Sequence, residues 1–287
     1  MSTIVFLHAH PDDETSQTAG MMALAARAGH RVVTVFGTNG DHGQRPEELG
    51  DDGDLVEHRR GEARAAARVL GVERVDWLGY RDSGMTGWDQ NSDTLCLHQA
   101  MIDESGSDEA AGRLARILDR EDADVLVGYD YRGNYGHPDH LAVHRLARRA
   151  VDLAARRPRL LEAAGNRTAQ MAMLESEEAA RFLAVLAESG IEVDVDNLRD
   201  MILTGDDGLP VGVLEEEIDW AVDPPEDVIE LKRSAMGCHA SQTSDIGLML
   251  SMPADLYALS FGTEYLIEPD LSERDEHRDM RRAWPFD

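Results

Sequence analysis

Cysteine is nearly absent from this chain of 287 residues: Cys96 and Cys238 are the only two, and neither lies in a Cys-x-x-Cys spacing. Two thiols so far apart exclude a cysteine-built zinc site and a disulfide framework, and they fit a reducing compartment. Lysine is scarcer still, with Lys232 alone among 28 basic residues. Against these stand 56 acidic residues, which leave a formal net charge of -28. A surface of that sign repels phosphate backbones and anionic lipid, so neither nucleic acid nor a membrane is expected as a partner. No uninterrupted apolar run is long enough to span a bilayer. Met1-Ser2-Thr3 leads straight into a short strand-like run, without a basic segment and a signal-type apolar stretch, so a cytoplasmic protein is expected. Glycine-rich phosphate loops are missing too. No Gly-x-Gly-x-x-Gly follows the first strand and no Walker-type loop occurs, which removes the usual anchors for dinucleotides and nucleoside triphosphates. Trp77, Trp88, Trp220 and Trp284 form no stacking pattern. The acidic, lysine-poor composition suits a salt-adapted proteome and an ordinary acidic enzyme alike, and leaves the reaction open.

What is present is a core and an alternating pattern. At 42% hydrophobic, the chain can fill one large domain or a domain with an appended lobe. Residues 3–8 read as a strand, and 15–29 carry apolar residues at helical spacing, with Gly29 as a stop. A second strand spans 32–36, a helix runs from Leu55 to Leu70 before Gly71, and a short strand covers 75–78. After a loop over 79–95, the pattern predicts a helix over 110–118, a strand over 125–128 and a helix over 139–155. Strand and helix alternating at this spacing imply right-handed βαβ units and a mainly parallel sheet covered on both faces. The expected fold is an α/β, Rossmann-like three-layer sandwich.

The second half is less regular. Residues 168–174 read as a further strand, 175–189 as an amphipathic helix ended by Gly190, and 191–224 as a loop-rich lobe. Residues 228–238 read as a helix and 261–267 as an edge strand, and the charged tail from Asp270 onward is expected to be mobile. The organisation expected is one domain over 1–270, with a core at 1–160 and a smaller lobe at 161–270, then a tail at 271–287.

Two apolar runs open into segments dense in histidine and aspartate. Ile4 to Leu7 leads to His10-Pro11-Asp12-Asp13-Glu14, and Val125-Leu126-Val127 leads to His137-Pro138-Asp139-His140. Parallel strands present their ligand sites at such ends. Two imidazoles and a carboxylate drawn from two strand ends make an open divalent-metal site of the kind that activates water, so the chain reads as a metal-dependent hydrolase. The plainer reading of the first motif has Asp12 and Asp13 capping the next helix, for which one acid suffices and His10 is unneeded. The plainer reading of the second is a polar helix start with His144 on the surface. Their pairing at two βα junctions favours the metal site.

With Tyr135 and Gly136 before the second motif, the two segments resemble the zinc-dependent N-deacetylases of the PIG-L/LmbE-like superfamily, which remove acetyl groups from N-acetylglucosamine units. The likeness extends to the mycothiol branch, the N-acetylglucosaminyl-inositol deacetylase and the mycothiol S-conjugate amidase. It rests on His8-Ala9-His10-Pro11-Asp12-Asp13-Glu14, the helix from Arg59-Arg60-Gly61-Glu62 to Leu70-Gly71-Val72, and Arg81-Asp82-Ser83-Gly84-Met85. It covers residues 3–145 and then only Lys232 to Gln242, including His239-Ala240-Ser241-Gln242. The resemblance implies His10, Asp13 and His140 as zinc ligands, a set that Fe(II) can also occupy. It implies Asp12 as general base, Tyr135 and His137 as stabilisers of the tetrahedral oxyanion, and His137 as the acid for the departing amine. A helix N-terminus disfavours imidazolium, so His137 needs a carboxylate neighbour; Asp139 is one candidate, or it orients a ligand histidine instead. The implied substrate contacts are Arg60, Asp82, Glu14, Asp41 and His239, with Asn39 and His42 beside the pocket. His8, inside the first strand, is expected to pack or hydrogen-bond there.

The loop Thr86-Gly87-Trp88-Asp89-Gln90-Asn91 and the second half depart from the mycothiol enzymes. The expected partner is a small amino-sugar substrate, and a homo-oligomer is left open. The competing readings are an amidase for larger acyl groups and a non-catalytic α/β module that binds sugar or metal.

Overall fold

The computed structural model describes residues 1–50, 53–188, 194–272 and 279–286. Among the described residues eight strands form one sheet: β1 (Thr3–His8), β2 (Arg31–Thr38), β3 (Arg74–Tyr80), β4 (Val125–Tyr129), β5 (Arg159–Ala164), β6 (Trp220–Val222), β7 (Glu264–Ile267) and β8 (Arg281–Arg282). Their order is β3-β2-β1-β4-β5-β7-β6-β8. The first five are mutually parallel, whereas β7 runs antiparallel to β5 and β6. From β1 the chain moves outward to β2 and β3, then returns to lay β4 on the other side of β1. The crevice beyond the ends of β1 and β4 is therefore the switch point at which open α/β sheets bind ligands. Ile4, Val5, Phe6 and Leu7 of β1 are all 0% exposed, as a parallel strand covered on both faces requires.

The helices are α1 (Asp13–Gln17), α2 (Ala19–Arg27), α3 (Leu55–Leu70), α4 (Leu97–Ala100), α5 (Glu104–Glu121), α6 (Pro138–Leu153), α7 (Arg167–Leu174), α8 (Glu177–Glu188), α9 (Val195–Leu203), α10 (Glu226–Met236), α11 (Asp245–Ser251), α12 (Ala254–Phe261) and α13 (Pro269–Ser272). Right-handed crossovers in opposite directions from the switch point place α2 and α3 on one face and α5 and α6 on the other. Helix α10 packs on α2 and α3. Among the described residues no helix is long and apolar enough to cross a membrane.

The structure departs from the sequence pattern at identifiable places. Where the spacing predicts one helix over 15–29, Thr18 separates α1 from α2, its hydroxyl drawn 3.0 Å from His8 Nε2. The helix expected over 110–118 is the longer α5, started by Asp103, whose carboxylate accepts the Gly106 N–H. Strand β5 was hidden because it is buried on both faces and does not alternate, while its Glu162 is neutralised by Arg148 at 2.7 Å. Residues 168–174 are not a strand: Asn166 Oδ1 accepts the Ala169 N–H at 3.0 Å and starts helix α7. Gly190, expected to end the following helix, lies outside the described residues.

The C-terminal half continues the sheet of the first half. Residues 191–224 hold α9 and β6 rather than loops alone, with 191–193 outside the described residues. Strand β7 lies inside the sheet, between β5 and β6, and is not an edge. Part of the expected mobile tail is anchored: β8 pairs with β6, and the Phe286 ring meets Phe6 edge-on at 6.1 Å. The lone lysine serves the same union. Lys232 Nζ donates to Glu264 Oε1 at 2.7 Å, and the Glu264 carboxylate accepts the Gly20 and Met21 N–H groups at the start of α2.

Candidate active site

Strand β1 ends on His8, which is buried between Tyr129 Oη and Thr18 Oγ1, each 3.0 Å from a ring nitrogen. Both nitrogens are thereby used inside the core. Three residues on, Pro11 leads into Asp12, whose φ of 118° is rare for an L residue. That kink starts α1 at once and brings Asp13 back under His10. Asp13 Oδ2 accepts the His10 N–H at 2.8 Å and faces His10 Nδ1 at 3.3 Å.

Strand β4 ends on Tyr129, and the following loop folds around Asp130, whose Oδ1 accepts the Arg132 N–H at 2.7 Å. Gly133 is required there twice over, by a φ of 53° and because a Cβ would come 2.7 Å from that of His140. The loop is braced from the second half, where Asp206 N donates to the Tyr135 carbonyl at 2.7 Å and Asp207 holds Arg132 bidentately at 2.8 and 2.9 Å. His137 caps α6 with its own ring, Nδ1 accepting the Asp139 N–H at 3.1 Å, and Pro138 occupies the first turn. His140 then projects from that turn, with Nδ1 held 3.0 Å from the Gly133 carbonyl.

Thus Asp13 Oδ2 lies 3.3 Å from His10 Nδ1 and 3.3 Å from His140 Nε2. Ligand atoms about 2.0–2.2 Å from a tetrahedral ion lie about 3.3 Å or slightly more from one another, so each of these two pairs has the spacing of neighbouring zinc ligands, and ring nitrogens of His10, His137 and His140 also cluster closely enough to hold one ion. His140 Nε2 is itself buried and makes no well-formed hydrogen bond among the described residues. The outer nitrogen of each histidine is anchored, His140 on Gly133 and His10 Nε2 on Asp139 Oδ2 at 3.2 Å. Such anchoring aims the other nitrogen inward. Burial would raise the Asp13 carboxyl, yet His140 and His10 hold it well below the usual carboxylate range. Burial would lower His10, but Asp82, Asp13 and Asp139 outweigh it and hold the imidazole up.

The remaining expected residues divide sharply. Asp12 keeps 22% of its side chain exposed, and Arg59 Nη2 donates to its Oδ2 at 2.9 Å. Burial of its surroundings pushes that carboxyl up to about 6, against the pull of Arg59. Tyr135 is half-buried, its ring centroid 4.7 Å from that of His140 and 6.0 Å from that of His137. Asp139 is committed to His10 and to Ser83, whose N–H donates to it at 2.8 Å, an arrangement that suits orienting a histidine more than holding His137 protonated. Burial, with His10 and His140 adding to it, drives the His137 imidazole down to about 3.

Asp82 lies 3.5 Å from His10 Nε2 and is 6% exposed. Asp41 is tied to the same loop, accepting Arg81 Nε and the Asp82 N–H, each at 2.9 Å. Arg60 is not brought to the site: its guanidinium sits 5.2 Å above the Trp77 ring and pairs with Glu57 at 3.8 Å. One residue earlier on the helix, Arg59 points inward, where the sequence pattern alone passed it over. Its periodic signal was legible, because Arg59 shares a face with the buried Glu62, Ala63 and Ala66. Glu14 and His239 are buried and bonded to each other, and so do not stand as the expected substrate contacts. His42 meets the exposed Trp88 ring edge-on at 6.5 Å, while Asn39 is half-buried nearby in the chain.

The family model for the GlcNAc-PI de-N-acetylases (PIG-L) matches residues 5–151. A Geodermatophilus obscurus protein named 1D-myo-inositol 2-acetamido-2-deoxy-alpha-D-glucopyranoside deacetylase is 34% identical over 277 residues, covering 91% of this chain and 90% of its own. The chain belongs to the PIG-L family. A Thermobispora bispora protein of the same name is 41% identical over 162 residues, and the aligned part spans about half of that relative, 52%, and 53% of this chain. Among solved structures, N,N'-diacetylchitobiose deacetylase from Pyrococcus horikoshii aligns with a TM-score of 0.54 at 23% identity, covering 93% of this chain and 82% of that one. A deacetylase of teicoplanin biosynthesis, solved with teicoplanin, gives 0.58 at 15% identity, covering 93% and 97%. At these identities the two structures share the fold.

Proposed function

We propose that this PIG-L protein is a cytoplasmic, zinc-dependent hydrolase that removes the N-acetyl group from a small N-acetylglucosamine-containing molecule of the glucosaminyl-inositol type. The observation that carries this reading is the meeting of His10 Nδ1, Asp13 Oδ2 and His140 Nε2, with Asp12 as the adjoining residue. His10, Asp13 and His140 would hold the zinc, which when bound would supply a water of pKa lowered toward ~7 and a Lewis acid for the acyl carbonyl.

Asp12 is the proton acceptor for the attacking water, since a carboxyl raised toward neutral accepts and returns a proton near pH 7. Of the two roles the resemblance implies for His137, oxyanion donor and acid, we keep the first alone. Its Nδ1 is occupied by the Asp139 N–H, which leaves Nε2–H as a hydrogen-bond donor on a neutral ring. An imidazolium would have to surrender that cap at a helix N-terminus. His137 therefore donates a hydrogen bond to the oxyanion, with Tyr135 beside it, and Asp12 hands the proton it took to the departing amine.

The test is amine release from N-acetylglucosaminyl-inositol and from N-acetylglucosamine by zinc-loaded and chelator-stripped protein. Zinc-dependent release from the inositol compound supports the reading. Zinc bound with no release from either substrate overturns the acetyl specificity and points to larger N-acyl conjugates.

A further inference from the structure

Glu14 and His239 lie 225 positions apart in the chain and meet in the interior, His239 Nε2 2.6 Å from Glu14 Oε1. Glu14 is 2% exposed and His239 0%, which leaves neither a surface to offer a sugar. The second oxygen of the same carboxylate, Oε2, accepts the backbone N–H of Asp12 at 2.9 Å.

That peptide needs holding. With φ 118° and ψ -32°, Asp12 sits where L residues rarely go, and such a conformation persists only when its surroundings over-determine it. The Asp12 carbonyl is held by Thr15 N at 2.9 Å and Thr15 Oγ1 at 2.7 Å. Its side chain is held by Arg59. Glu14 holds the N–H side of the same residue. His239 is itself fixed, because the next turn is pinned to the helix that carries Arg59: Ser241 N and Oγ donate to Glu62 at 2.8 and 2.7 Å. Gln242 Oε1 also accepts the Gln44 N–H at 3.0 Å, tying that segment to the loop after β2.

We propose that Glu14 and His239 form a positioning pair: the histidine orients the carboxylate, and the carboxylate holds the Asp12 peptide in the conformation that presents its side chain to the water. Neither residue touches substrate. The inference rests on the deacetylase reading given above, in which Asp12 is the base.

Amine release by the zinc-loaded protein tests it, comparing wild type with Glu14→Ala, His239→Ala and His239→Gln, each alone and combined with Asp12→Asn. Zinc content and Tm are measured on the same preparations. Both alanine variants should keep one bound zinc and lose about 10- to 100-fold in kcat with KM little changed. His239→Gln, whose amide still donates, should recover most of that loss. On top of Asp12→Asn none of the three should cost anything further, because the pair acts through Asp12. A rise in KM at constant kcat, an unchanged kcat per zinc-loaded molecule, or a further loss in the Asp12→Asn background would each overturn the proposal. Should the alanine variants not fold, Glu14→Gln carries the same expectations in smaller measure. A wild type that binds zinc but releases no amine would sink the deacetylase reading alone. The pair is then decided by the crystal structure of Glu14→Ala or His239→Ala, in which Asp12 should leave its positive φ; an unchanged Asp12 would refute it.

Discussion

His140→Ala removes a ring nitrogen that faces Asp13 Oδ2 at 3.3 Å, so the variant should lose zinc when dialysed beside the wild type, as metal analysis would show. Asp12→Asn removes no proposed ligand atom and should keep zinc while turnover falls about 100- to 10,000-fold. His137 separates two roles. As a hydrogen-bond donor it should be partly replaced by His137→Gln, with kcat well above that of His137→Ala, whereas a proton donor would be lost equally in both. Asp130 gives a pH test away from the metal: it is 0% exposed, its Oδ2 lacks a hydrogen bond among the described residues, and burial pushes it up to about 6, with Glu162 adding to the push and His144 opposing it. A carboxyl raised in the folded state costs stability as pH rises from about 4 to about 6, by at most about 3 kcal/mol for a two-unit shift. Asp130→Asn should therefore stabilise the protein at pH 8 and change it little at pH 4, by urea unfolding at both. Residues within the two histidine motifs were legible in sequence because their chemistry is local to a strand end. The Glu14–His239 pair was not, because a contact across 225 positions leaves no mark in spacing, whereas the inward face of Arg59 is written in its helical spacing from Glu62, Ala63 and Ala66.

Elements with long, regular periodicity matched their pattern, and α3 spans Leu55–Leu70 as its apolar spacing and Gly71 stop predict. Short elements did not, since β5 and α7 are decided by burial and by one capping side chain, Asn166. The junction of α2 with β7 is held by a buried pair whose members are each 1% exposed at the side chain, Lys232 and Glu264. Removing one member strands a buried charge, so Lys232→Met should destabilise by about 3–5 kcal/mol. Glu264→Ala should cost at least as much, because it also uncaps the Gly20 and Met21 N–H groups. Urea midpoints at constant slope would check both.

For the whole molecule, alternation along the first half was enough to place β1 to β4 as parallel strands with the two histidine motifs at strand ends, but not β5 or the strand order. The antiparallel addition of β7, β6 and β8 depends on contacts between distant segments and could not be read from local pattern. The charge of -28 acts at this scale too, since mutual repulsion among carboxylates disfavours the compact state. Salt screens surface ion pairs as well, but those contribute only about 0–1 kcal/mol each, and 56 acids face 28 bases. Stability should therefore rise between low salt and about 1 M KCl, where screening acts over about 3 Å, as a higher urea midpoint. A metal at the β1–β4 switch point should drive N-deacetylation, which zinc titration of chelator-stripped protein against amine release from N-acetylglucosaminyl-inositol reads out. Release should climb to a plateau at one zinc per chain and be absent in His140→Ala at the same zinc. Equal release by the stripped protein, or full release by His140→Ala, would contradict it.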